Sequence, residues 1–152
     1  MKNLILTTAL MAVAAPGFAS PGHDEMAVGM PGEAADVDRT VEVSMVETED
    51  AEMLFEPADM TFEKGETVRL VITNTGYLEH EFVLDTAEEN AEHKAVMEEF
   101  PDMEHDDPNS LRLEPGESGE IVWTFANDGT FEYACLIPGH YESGMHGPLV
   151  VN

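Results

Sequence analysis

From Thr40 to Asn152, short runs of alternating apolar and polar residues are cut at near-regular intervals by turn residues, and this rhythm constrains the fold more than any other feature of the chain. Successive side chains of a strand point to opposite faces. A run such as Val41, Val43 and Met45 against Glu42 and Ser44 therefore has one face to bury and one to wet. The same alternation predicts a strand over Glu120 to Phe125, with Ile121, Trp123 and Phe125 together, and one over Thr130 to Cys135, with Phe131, Tyr133 and Cys135 together. Met53 to Pro57, Asp59 to Glu63, Thr67 to Thr73, His80 to Leu84, Leu111 to Leu113 and Pro148 to Asn152 complete the set, punctuated by turns such as Glu114-Pro115-Gly116-Glu117 and Asn127-Asp128-Gly129. Strands this short must pair and stack, so the expected fold is all-β, an antiparallel sandwich or barrel. One stretch breaks the rhythm. Ala91, Ala95, Val96 and the Glu, Lys and Met residues between them are good helix formers, and Pro101 sets a stop, which predicts one helical insert around 87–100.

The N-terminus has the form of an export signal: Lys2, an apolar run from Leu4 to Ala15, then Pro16, Gly17 and small residues at a cleavage point after Ala19. That run is shorter than the roughly 20 residues a membrane-spanning helix needs. Residues 1–19 are thus expected to be a signal peptide, and the product a protein of the periplasm with no membrane insertion after cleavage. Residues 20–38 are rich in Gly, Pro, Ala and acids without a period, which predicts a disordered tail containing His and Met and leaves 39–152 as the single folded domain. Charge narrows the partners further. With 32 acidic and 6 basic residues and a net charge of -26, the chain lacks the clustered Lys and Arg that bind phosphate backbones, so no nucleic acid is expected, whereas cations and basic protein surfaces are favoured.

Cys135 is the one cysteine, so no internal disulfide can form, and an exported lone thiol calls for burial or coordination. It opens the segment Cys135-Leu-Ile-Pro-Gly-His140-Tyr-Glu-Ser-Gly-Met145, just past the end of a predicted strand. Pro138-Gly139 forces a turn that brings Cys135 and His140 toward one point, and Gly144 frees the backbone before Met145. A thiolate with imidazoles and a weak axial thioether is the ligand set of a mononuclear copper electron-transfer site, lacking only a second histidine, and His80 at the start of its strand is the best candidate to supply it. Zinc would call for four strong ligands, and a thioether is a poor one. His146 reads as a partly exposed edge residue through which an electron enters or leaves. Two further groups offer auxiliary copper ligands: His93, Met97, Met103 and His105 in the insert, with His93 and Met97 on one helix face, and His23, Met26 and Met30 in the tail. Their bland reading is that Met97 packs the helix and the acids form a solvated face.

These residues resemble the cupredoxins, the small blue copper proteins. Tyr133, Cys135, Pro138, Gly139, His140, Gly144, Met145 and Gly147 stand where the C-terminal signature of that family needs them, and Gly65-Glu66-Thr67-Val68 leading through Asn74 to His80 is similar to its upstream half. The four-residue gaps on both sides of His140 look more like rusticyanin than plastocyanin. The acidic His/Met insert and tail look most like the periplasmic cupredoxins of bacterial copper tolerance. The resemblance, covering about residues 40 to 152, implies an antiparallel Greek-key β-sandwich and one type 1 copper with His80, Cys135 and His140 as equatorial ligands and Met145 as the axial one. One departure stands out: Glu81 replaces the Asn or Ser that many members carry after the first histidine, which implies altered hydrogen bonding around the sulfur and leaves blue against green colour open.

A closed ligand set has no position for a substrate, so no enzyme is expected. The expected function is periplasmic one-electron transfer in the context of copper tolerance, with a redox partner such as a cytochrome or oxidase. The alternative is a copper sequestration or chaperone protein that uses the auxiliary His/Met sites, works with other copper-handling proteins and has no dedicated electron-transfer partner.

Overall fold

The computed structural model describes residues 26–101 and 107–152. The expected signal peptide, His23, Met103 and His105 lie outside the described residues. Among the described residues the alternating segments form ten strands: β1 (Met30–Pro31), β2 (Arg39–Glu47), β3 (Met53–Glu56), β4 (Met60–Phe62), β5 (Thr67–Asn74), β6 (His80–Asp85), β7 (Ser110–Leu113), β8 (Ser118–Thr124), β9 (Gly129–Ala134) and β10 (His146–Val151). They make two five-stranded sheets in the orders β1-β8-β5-β2-β3 and β4-β10-β9-β6-β7. The sandwich is as expected, but it is not wholly antiparallel: β2 runs parallel to β5, and β10 parallel to β4. Alternation sets which face a residue takes but not which strand lies beside it, so the sequence left that pairing open.

Val43, Met45, Leu70, Ile72, Ile121, Trp123, Phe82, Leu84, Phe131 and Tyr133 fill the space between the sheets. Phe82 and Tyr133 stack at 6.0 Å between centroids, and Phe55 meets both rings edge-on. Ring pairs of this kind add about 0.5–1.5 kcal/mol each beyond the area they bury.

The helix α1 (Ala87–Glu99) stands where the composition placed it. Thr86 accepts the Glu89 N–H through its hydroxyl at 3.1 Å and caps the first turn, and Glu88 and Glu89 sit at the positive end of the helix dipole. α1 packs on β6 and β9. That explains why β6 is buried on both faces: Phe82 and Leu84 enter the main core, while Val83 joins Met97, Ala134 and Leu136 beneath the helix.

Residues 26–38 differ from expectation. In place of a disordered tail, β1 pairs with β8, residues 34–36 form a 3-10 turn, and Val28 is fully buried with its carbonyl accepting the Trp123 indole N–H at 3.3 Å. A two-residue strand carries no period, and it is held by its pairing with β8 and by the burial of Val28 beside it. No helix among the described residues is long and apolar enough to cross a membrane.

Candidate metal centre

Two connections meet at one pole of the sandwich. The first links β5 to β6 and delivers His80; the second links β9 to β10 and holds Cys135, His140 and Met145. In the second, Pro138-Gly139 turns the chain as the sequence predicts, with Gly139 at φ 88° and Gly144 at φ 100°, a left-handed region where a side chain is costly. The His140 N–H bonds to the Ile137 carbonyl at 3.0 Å, and the Cys135 N–H to the Met145 carbonyl at 2.9 Å, so the loop is closed at its base.

The result brings His80 Nδ1, Cys135 Sγ and His140 Nδ1 together. The two ring nitrogens are 3.2 Å apart, Sγ lies 3.4 Å from His140 Nδ1, and the three residues offer ligand atoms within 4.8 Å of one another. Atoms bound to one first-row divalent ion at about 2.0–2.3 Å must lie within roughly 4.6 Å of each other, and the two measured separations satisfy this. The donor set fits copper: one sulfur and two imidazoles, with buried Met145 in the same connection, its carbonyl bonded to the Cys135 N–H. His80, Cys135 and Met145 are all fully buried, whereas His140 is half-buried beside exposed Pro138 and Gly139.

The surroundings fix these groups. His80 Nε2 lies 2.8 Å from a Glu47 carboxylate oxygen. A carboxylate can only accept there, so Nε2 carries a proton, and in the neutral ring Nδ1 is then the nitrogen with a lone pair for a metal. The Glu81 backbone N–H donates to Cys135 Sγ at 3.3 Å. This amends one expectation, because that sulfur bond comes from the main chain and not from the side chain at 81. Glu81 itself is buried and pairs in register with Arg112 across β6 and β7.

Burial pushes the Cys135 thiol up to about 12, with the Glu81 and Ile137 N–H groups pulling weakly the other way. Burial, and then His80 nearby, holds His140 below the usual histidine range. A metal must therefore displace the thiol proton, while His140 is already neutral at pH 7. We expect metal uptake by the apoprotein at pH 7 to release about one proton and apparent affinity to rise about tenfold per pH unit above neutrality, up to the thiol's own pKa. Calorimetry in buffers of different ionisation enthalpy measures the proton count; release of none would contradict a buried, protonated thiol.

Of the remaining predicted ligands, Met26, Met30, His93 and Met97 lie among the described residues. Met97 is fully buried in an apolar cluster with Val83, Ala134 and Leu136. Met30 is exposed on the edge strand β1. Met26 and His93, by contrast, line one cavity of about 330 Å³ together with Asp85, Asp107 and Asn109. His146 is exposed, stacks on Tyr141 at 4.0 Å between centroids, and lies outside the His80, Cys135 and His140 group. Tyr141 in turn donates to Glu132 at 3.0 Å. The sequence reading missed Glu47: it is one of 32 acids, 33 residues before the histidine it holds, and nothing local marks it.

Comparison with known proteins agrees with this geometry. Residues 41–152 match the family model for copper-binding proteins of the plastocyanin/azurin family. The chain is 46% identical to the copper-resistant cuproprotein CopI of Rubrivivax gelatinosus, over 99% of both chains. It is 38% identical to the protein of that name from Pseudomonas aeruginosa, over 88% of this chain and 86% of the other. Among solved structures, dithionite-reduced auracyanin from Roseiflexus castenholzii shares the fold with a TM-score of 0.63 at 24% identity, covering 76% of this chain and 98% of that one. With a thiol and two imidazoles gathered at one pole and a matching model that spans both ligand connections, copper is the metal, and the chain belongs to the plastocyanin/azurin family, the cupredoxins, related to the copper-resistance cuproproteins.

Proposed function

We propose that the protein is a periplasmic one-electron copper carrier acting in copper tolerance, with His80, Cys135 and His140 as strong ligands and Met145 as the weak fourth. The observation that carries this reading is the convergence of His80 Nδ1, Cys135 Sγ and His140 Nδ1 from positions up to 60 residues apart. Copper bound there supplies exchange of one electron between its cupric and cuprous states. The chain's own part is to hold the donors still. Three of the four residues expose nothing, Glu47 and the Glu81 N–H fix a ring and the sulfur, and loop closure at Cys135 N–H keeps Met145 beside them. Burial of the donors excludes a substrate from the metal, which favours electron exchange over catalysis. His140 is the half-buried edge, on the pole where Tyr77 and Leu78 are 88% and 45% exposed. A net charge of -26 steers a basic partner, such as a cytochrome or oxidase, with on-rates that fall as salt rises. The relatives' name supports the tolerance role, and the leader-like N-terminus supports export.

Copper titration of the purified apoprotein tests this. One tight equivalent that brings a thiolate-to-copper absorption band supports the carrier. A colourless first equivalent overturns it. A second reading, sequestration or delivery among copper-handling proteins, is favoured by the cavity that joins Met26 and His93 to Asp85 and Asp107. Its mark would be further, colourless equivalents that disappear in a Met26→Ala, His93→Ala variant while the coloured one stays.

A further inference from the structure

Glu47 ends β2, and its carboxylate is 11% exposed. Three N–H groups converge on its two oxygens. Tyr77 N–H donates to Oε2 at 2.7 Å, Leu78 N–H to Oε1 at 2.9 Å, and His80 Nε2 to Oε1 at 2.8 Å. The segment that leads into His80 is thus wrapped around this one anion. The fit is close, since a Cβ placed on Gly76 would lie 2.3 Å from Glu47 Oε2.

We propose that Glu47 is a positioning residue for the copper site, which fixes the His80 imidazole with Nδ1 toward Cys135 and His140 and, by its negative charge behind the ring, favours cupric over cuprous copper. The inference rests on the proposed copper role of His80 and adds a control on its potential. Two physical effects act in the same direction. A carboxylate hydrogen-bonded to Nε2–H makes the imidazole a stronger electron donor through Nδ1. A fixed negative charge also stabilises the more positive of two metal states, and it does so strongly at a site with little water. Glutamine is a poor substitute. Its single oxygen can keep the Leu78 and His80 donors, but its NH₂ would face the Tyr77 N–H.

The test uses the full chain in its wild-type and Glu47→Gln forms. Both are loaded with copper, their visible spectra recorded and their potentials measured by redox titration. Glu47→Gln is expected to keep the thiolate-to-copper band and to lose about tenfold in preference for cupric over cuprous copper, at the low end of the 10- to 100-fold effects of outer-shell partners and equal to a rise of about 59 mV for a one-electron couple. A merely structural role would move the melting temperature and not the potential. A coloured Glu47→Gln protein with the wild-type potential overturns the proposal. A wild-type protein without the band overturns the copper role of Cys135 and His80 instead, so the two failures are distinguishable. Should Glu47→Gln not fold, nitrogen-15 NMR of the copper-free wild type decides. His80 is expected as the Nε2–H tautomer, and an Nδ1–H tautomer overturns the proposal.

Discussion

Replacing Cys135 with alanine is expected to abolish the visible absorption of the copper-loaded protein and to lower copper affinity by more than about 100-fold, the upper end of what losing even an outer-shell partner costs. The reasoning is one of exclusivity. The chain has a single sulfur that can become a thiolate, and only a thiolate gives intense charge transfer to copper in this donor set. His80 and His140 remain in Cys135→Ala, so some copper still binds, but as a weakly coloured imidazole complex. Folding survives. Cys135 contributes one buried sulfur to a core that also holds Trp123, Phe125 and Tyr133, and its loss costs about 1 kcal/mol, an ordinary value for a point change. Absorption spectra, competition with a copper chelator and circular dichroism of the apoprotein separate these effects. Retention of wild-type colour in Cys135→Ala would refute the assignment of the sulfur and, with it, the electron-transfer reading.

The sequence and the structure agree best where information is local. The turn at Pro138-Gly139 and the helix from Ala87 are each encoded within a dozen residues, so spacing and composition suffice. His80 lies farther off, 55 residues before Cys135, yet it opens a strand at a turn, and sandwich topology brings such strand ends to a common pole. What stayed hidden depends on contacts between distant segments. Glu47 looks like 31 other acids until β2 is laid beside β5, the strand whose continuation carries Tyr77 and Leu78. Met97 and His93 share a helix whose apolar residues make no clear stripe, so packing of Met97 stood only as the alternative to a ligand role, and nothing local showed that His93 lines a cavity. β1 has two residues and no period at all; it is visible only once β8 offers an edge to pair with.

Asn74→Ala is expected to lower stability by about 3 kcal/mol, since it strips the buried Leu113 carbonyl of a partner, at roughly 1–3 kcal/mol, and removes two part-buried hydrogen bonds worth about 0.5–1.5 kcal/mol each. Asn74 is fully buried where β5 leaves its sheet. Its Nδ2 donates to the carbonyls of Leu78 at 2.8 Å and Leu113 at 2.9 Å, and its Oδ1 accepts the Gly76 N–H at 3.0 Å. Leu113 is the register partner of His80, and Leu78 is two residues before it. One amide therefore pins both sides of the segment that delivers the first histidine, so copper affinity should fall together with stability. For a chain of this size the loss amounts to about 10 °C in melting temperature. Asn74→Asp provides the sharper comparison. An ionised carboxylate has no proton to give and would face two carbonyl oxygens, so at pH 7 it should melt below Asn74→Ala, and it should recover as the pH falls and the carboxyl regains a donor. Thermal unfolding of the three copper-free proteins at two pH values measures this. If Asn74→Asp melts with the wild type at pH 7, the amide is not the group that holds His80 in place.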